Sequence, residues 1–141
     1  MPARDPNCKF CAIAAGELDA TIVHEDDDAI AFLDNRPLFP GHVLLIPRDH
    51  RETIEDLPPP LVEPLFADAR TLAGAVRRAM GAEGTFVALN NTVSQSVPHL
   101  HVHIVPRVRK DGLRGFFWPR NPYEDQAAMD AAGEAIRAEL S

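Results

Sequence analysis

Residues 99 to 105 read His99-Leu100-His101-Val102-His103-Ile104-Val105, three imidazoles alternating with aliphatic side chains. A β-strand sends successive side chains to opposite faces, so this run predicts a strand over Leu100 to Val105 with imidazoles on one face and an apolar ridge on the other. Such a strand needs a sheet whose one side packs on a hydrophobic layer and whose other side carries a polar site. Neighbouring imidazoles on a rigid strand can supply a nucleophile, an acid and an orienting group, all titrating near neutral pH. That combination suits phosphoryl or nucleotidyl transfer through a phosphohistidine-type intermediate. A solvated strand face or a purely metal-binding triad would draw on the same pattern.

The segment before the strand, Asn90-Asn91-Thr92-Val93-Ser94-Gln95-Ser96-Val97-Pro98, is rich in hydroxyl and amide groups able to hold phosphate oxygens. It also reads as a polar turn between strands. No GxxxxGK[ST] phosphate loop occurs in the chain.

The rest of the pattern predicts what the histidine strand packs against. Thr21 to His24 and Ala29 to Leu33 are rich in strand formers, and Glu25 to Asp28 between them makes a hairpin turn. Asp34 to Gly41 is a loop by its prolines and glycine, and His42 to Ile46 is a buried third strand stopped at Pro47. Pro58-Pro59-Pro60 starts a helix on which Leu61, Leu65, Ala69, Leu72, Ala73, Val76 and Met80 share one face; Gly81 closes it. Pro64 fits this helix in its first turn. Thr85 to Leu89 is a further strand and Glu124 to Leu140 a terminal helix. Hairpins with long helices and no regular βαβ alternation define an α+β domain with an antiparallel sheet.

With 141 residues, 45% of them apolar, the chain can bury a core without disulfides. Its 14 basic and 21 acidic residues give a formal charge of −7 and no basic cluster. A broad surface for duplex nucleic acid is therefore not expected, while a small anion could still sit in a locally positive pocket. The apolar runs are too short to span a membrane, and the N-terminus lacks the apolar core of a secretory signal. The expected location is cytoplasmic. In a reducing compartment Cys8 and Cys11 point to metal or thiol chemistry before a disulfide. Their C-x2-C spacing offers two of the four ligands of a zinc knuckle, and a pair of core thiols or a redox pair would have the same spacing.

Taken together, these residues resemble the histidine triad (HIT) superfamily of nucleotide hydrolases and transferases, whose signature alternates histidine and hydrophobic residues as at 99 to 105. The likeness extends to Glu25-Asp26-Asp27, Ala31-Phe32-Leu33-Asp34, Pro40-Gly41-His42-Val43-Leu44-Leu45-Ile46-Pro47-Arg48-Asp49-His50 and Gln95-Ser96-Val97, covering about residues 8 to 107. It implies a HIT-like fold, a five-stranded antiparallel sheet with a long helix after the third strand and a C-terminal helix, in a single domain over 1–141 with an extension from 108. It implies a nucleotide hydrolase that cleaves at the α-phosphate of a phosphoramidate or dinucleoside polyphosphate through a nucleotidyl-histidine. The other readings are a nucleotide-binding scaffold with little turnover and a zinc hydrolase that uses the histidines as catalytic ligands.

Residue by residue, the resemblance makes His101 the nucleophile, His103 a contact to the α-phosphate and helper of the leaving group, and His42 part of the histidine cluster alongside His99. Gln95, Ser96 and Asn90 would contact the substrate, Asp34 the ribose, and Phe10 and Phe32 would sandwich a purine base, although both could equally be core. Bacterial members with an N-terminal CxxC imply a structural zinc on Cys8, Cys11, His50 and His99, and a homodimer. His24 stays a structural or surface residue. The loop Asn90 to Ser94 lacks the glycines common at that place in the superfamily, and Lys9 stands where the base pocket is usually apolar. The stretch Asp111 to Arg120 and the last helix lie beyond the motif and are expected to shape specificity or a subunit interface.

Overall fold

A computed structural model describes residues 3–113 and 120–140. Five strands form one antiparallel sheet: β1 (Ile22–Glu25), β2 (Ala29–Leu33), β3 (Val43–Pro47), β4 (Gly84–Ala88) and β5 (Val102–Arg107). They lie in the order β1-β2-β3-β5-β4, so the histidine-bearing strand is flanked on both sides. The helices are α1 (Lys9–Ala14), α2 (Pro59–Ala79) and α3 (Gln126–Leu140), with a 3-10 turn at Ile54–Asp56. This is the expected α+β arrangement. Residues 114–119 of the Asp111 to Arg120 stretch fall outside the described residues.

The packing of the chain divides it into two units between Asp111 and Gly112. In the second unit α3 begins at Gln126, after Asp125, whose carboxylate accepts from the Ala128 N–H at 2.8 Å and caps the helix.

In the first unit both faces of the sheet are covered at its central strands, and this explains why β2 and β3 read as nearly continuous apolar runs. Ala29, Ala31, Val43, Leu45, Val102 and Ile104 pack on the α2 side against Leu65, Ala69, Leu72 and Val76. Ile30, Phe32, Leu44 and Ile46 face the other way and pack with Phe10, Cys11 and Ile13 of α1 and with Val97. The register sets Leu44 opposite His103 and Val43 opposite Ile104, so His103 emerges on the α1 face. Leu45, Ile46, Leu100 and Ile104 are fully buried. Each such side chain contributes roughly 1.5–3 kcal/mol by leaving water.

Three expectations are corrected. Helix α1 is missing from the sequence reading, yet its signals are local: Cys8 caps it by accepting from the Cys11 N–H at 3.4 Å, and Gly16 follows it at φ +77. Pro64 is the sixth residue of α2 and thus in its second turn; lacking an N–H, it leaves the Pro60 carbonyl without its i+4 donor. The strand of Leu100 to Val105 begins only at Val102 and runs on to Arg107. The His99 N–H turns to the Val97 carbonyl and the Leu100 N–H to the Arg51 carbonyl, so these donors leave the sheet ladder and the backbone bends after Pro98. Among the described residues no helix is long and apolar enough to cross a membrane.

Candidate active site and metal cluster

The bend over residues 96 to 99 divides the three histidines between two neighbouring sites. His101 and His103 stay together, ring centroids 5.0 Å apart, and both line a cavity of about 860 Å³. His99 is wholly buried and its ring is held apart from that cavity, among Cys8, Cys11 and His50.

Hydrogen bonds fix the tautomer of each ring. The Leu38 N–H donates to His42 Nδ1 at 3.1 Å, so neutral His42 carries its proton on Nε2 and donates it to His103 Nδ1 at 2.9 Å. His103 must then hold its own proton on Nε2. His101 Nδ1 lies 2.7 Å from the His99 carbonyl, which only accepts; Nδ1–H donates and Nε2 keeps its lone pair. Burial pushes His42, His101 and His103 below the ordinary imidazole range, His103 to about 4. The three rings are therefore neutral near pH 7, and His101 offers an unprotonated nitrogen.

Around them the cavity is lined by Phe10, Ile13, Phe32, Leu44 and Val97 on its apolar side and by Asp34 and Ser96 among its polar groups. The Asp34 carboxylate accepts from the Arg36 N–H at 2.9 Å and stands 3.8 Å from His42 Nδ1. Phe10 and Phe32 meet edge to face with centroids 5.4 Å apart on the apolar side of the cavity. His42 stands behind His103. Gln95 and Asn90 are not in the cavity lining; the Gln95 amide donates to the Glu52 carbonyl and accepts from the Thr92 N–H. The glycine-free loop nonetheless takes up left-handed backbone, at Thr92 (φ +70) and Ser94 (φ +62).

On the other side of Phe10, four donors converge: Cys8 Sγ, Cys11 Sγ, His50 Nδ1 and His99 Nδ1, all within 4.8 Å of one another. The sulfur–nitrogen separations are 3.4 Å (Cys8–His99), 3.3 Å (Cys11–His50) and 3.6 Å (Cys11–His99), and the two nitrogens are 3.2 Å apart. A tetrahedral zinc with bonds of about 2.3 Å to sulfur and 2.0–2.1 Å to nitrogen spaces its donors by roughly these lengths. The tautomer agrees as well: His99 Nε2–H donates to the Pro47 carbonyl at 2.8 Å, which leaves the Nδ1 lone pair facing the cluster. The donor set fits a closed structural zinc.

Two further features escaped the sequence reading. Asn35 and Arg36 line the cavity beside Asp34, a position given only by the loop that follows β2. His24, expected to be a structural or surface residue, makes a structural contact whose partner no local pattern announces: its Nε2 lies 3.3 Å from Asp26 and 3.5 Å from Asp68 of α2, more than forty residues away.

A five-stranded antiparallel sheet carrying buried histidines beside an apolar cleft defines an α+β protein with a histidine-based site. Residues 15–110 match the HIT domain model, and the chain belongs to the HIT family. It is 32% identical over 136 residues to the adenosine 5′-monophosphoramidase hnt1 of Schizosaccharomyces pombe, covering 95% of this chain and 98% of that protein. Its fold is similar to that of SMU.412c from Streptococcus mutans, with TM-score 0.90, 33% identity, and coverage of 100% of this chain and 90% of the other. It is also similar to a zinc-bound histidine triad family protein of Mycobacterium smegmatis, with TM-score 0.72, 33% identity, and 92% and 97% coverage.

Proposed function

We propose that the protein is a nucleotide hydrolase that cleaves a nucleoside phosphoramidate or a dinucleoside polyphosphate at the α-phosphorus through a nucleotidyl-His101 intermediate. The observation that carries this reading is the His99 carbonyl on His101 Nδ1–H, because it leaves Nε2 as a neutral nucleophile at the wall of the cavity. The monophosphoramidase relative adds support.

In the first step His101 Nε2 forms a bond to the α-phosphorus and the bond from phosphorus to the leaving group breaks, the leaving group keeping the electron pair and taking up a proton from solvent. His101 becomes a cationic nucleotidyl-imidazolium with Nδ1–H still on the His99 carbonyl. His103 Nε2–H, held in that tautomer by His42, donates a hydrogen bond to a phosphoryl oxygen or to the departing atom. Water then attacks phosphorus and gives up a proton to solvent, the phosphorus–nitrogen bond breaks with its electron pair returning to His101 Nε2, and the nucleoside monophosphate leaves. Ser96 would hold a phosphate oxygen, Asp34 the ribose hydroxyls, and Phe10 and Phe32 the base.

A zinc on Cys8, Cys11, His50 and His99 would act as a structural pin. His99 would then hold the metal through its ring and His101 through its carbonyl, which ties the nucleophile's position to the N-terminal helix. The assembly is expected to be a homodimer in the cytoplasm.

The test is monophosphate release from adenosine 5′-phosphoramidate and from a diadenosine polyphosphate, wild type against His101→Ala at equal zinc content. Release lost in the variant with nucleotide binding retained supports the mechanism. No release by the wild type, with binding intact, would replace it with the nucleotide-binding scaffold.

A further inference from the structure

Lys9 opens α1 between the two cysteines, and its side chain lines the cavity beside Phe10, Ile13 and Phe32. Its Nζ stands 5.9 Å from the centroid of the Phe10 ring, and its positive charge is felt at His101. Asp19, Thr21, Asn35 and Arg36 line the cavity too, but Lys9 is the charged group that stands over the Phe10 ring, so a base resting on Phe10 and Phe32 would meet its ammonium. An ammonium donates and never accepts.

That asymmetry discriminates between purines. Guanine and hypoxanthine present two adjacent acceptors, O6 and N7, on one edge; adenine presents N7 beside an amino group that is itself a donor. A lysine facing that edge gains a bond to the 6-oxo bases and opposes the amino group of adenine. We infer that Lys9, at the base wall of the cavity, gives this protein a preference for 6-oxopurine nucleotides over adenine nucleotides. The inference rests on the proposed use of the cavity as a nucleotide site and adds to it the class of base.

The experiment measures kcat/KM for the 5′-phosphoramidates of guanosine, inosine and adenosine, with wild type and Lys9→Met. Methionine keeps the length of the stem and removes the donor. The wild type should favour guanosine and inosine alike over adenosine by about tenfold, and the ratio should fall to about one in the variant. Inosine matters because it carries O6 and lacks the 2-amino group: preference for guanosine alone would place recognition elsewhere and overturn the inference. An adenosine preference in the wild type, a ratio that survives Lys9→Met, or an equal loss for all three substrates would overturn it too, the last because it would make Lys9 a phosphate or packing group.

Thermal unfolding and zinc content check that Lys9→Met folds. Lys9→Gln is a second variant, since an uncharged amide that both donates and accepts should also narrow the ratio. Calorimetric binding of GMP, IMP and AMP separates this inference from the hydrolase reading. Tighter GMP and IMP binding that depends on Lys9, in the absence of turnover, would uphold the base preference while the hydrolase reading falls; binding of none of them would end both.

Discussion

His42 Nε2 and His103 Nδ1 lie 2.9 Å apart, and the Leu38 N–H on the far side of His42 decides which of them owns the proton between them. A backbone amide thus orients a second ring that never touches it. His42→Ala should remove the partner of His103 Nδ1 and free the ring to turn. A hydrogen bond of ~1 kcal/mol corresponds to a fall in kcat of about fivefold to tenfold, with less change in KM. Steady-state kinetics on the phosphoramidate check it, and an unchanged kcat would dismiss the His42 relay.

Cys8→Ser bears on the metal cluster and on the fold together. Structural zinc sites supply on the order of 10 kcal/mol in apparent terms, so weakening one ligand should lower the melting temperature by about 10 °C and reduce bound zinc. Elemental analysis alongside a thermal melt checks this. Undiminished zinc in the variant would exclude Cys8 as a ligand.

The His24, Asp26 and Asp68 contact predicts an unusual pH response. Burial, with the neighbouring Asp26 carboxylate, pushes Asp68 up to about 6. Burial works against Asp26 too, but hydrogen bonds from Asp68 and from the Asp28 and Ala29 N–H groups bring it down to about 2. Between about pH 4 and 6 the folded chain keeps a proton on Asp68 that the unfolded chain has released, so this group's stabilisation declines as pH rises through that window. Asp26 acts oppositely, losing its contribution only as pH falls towards 2. Asp68→Asn should flatten the decline and melt above wild type at pH 8, because the amide can donate permanently to Asp26. Parallel melting curves for the two proteins from pH 4 to 8 would contradict the shared proton.

Gly41 precedes His42 at φ +96, and a Cβ there would meet Met80 Cγ at 2.6 Å. Gly41→Ala therefore imposes both backbone strain and a clash, costing about 1–3 kcal/mol. Since the strain falls next to His42, kcat should drop with stability. Denaturant melts and kinetics on one preparation check both.

The sheet was legible because its strands obey simple periodicity. Ala29 to Leu33, His42 to Ile46 and Thr85 to Leu89 fall within a residue or so of β2, β3 and β4. The α2 face was legible for the same reason, although Met80 ends up as its half-exposed C-cap. Local pattern failed where long-range bonds overrule it. Nothing near His99 announces that Arg51 and Pro47 will take its neighbour's N–H and its own ring N–H, yet those bonds remove it from the strand and turn it to the cysteines. Likewise Gln95, so close to the triad in sequence, is held by Glu52 from another loop.

The cysteine–histidine cluster also has a meaning for how the chain acquires its site. Its four donors come from residues 8, 11, 50 and 99, and the longest of these contacts closes a span of 91 residues. Loop closure over such distances is costly and slow compared with forming a hairpin or a helix. The first eleven residues must therefore wait, through most of synthesis, for the bend that delivers His99. Because that same bend presents the carbonyl that orients His101, the proposed nucleophile is set in place only late in folding, and a chain cut short before residue 99 could hold neither.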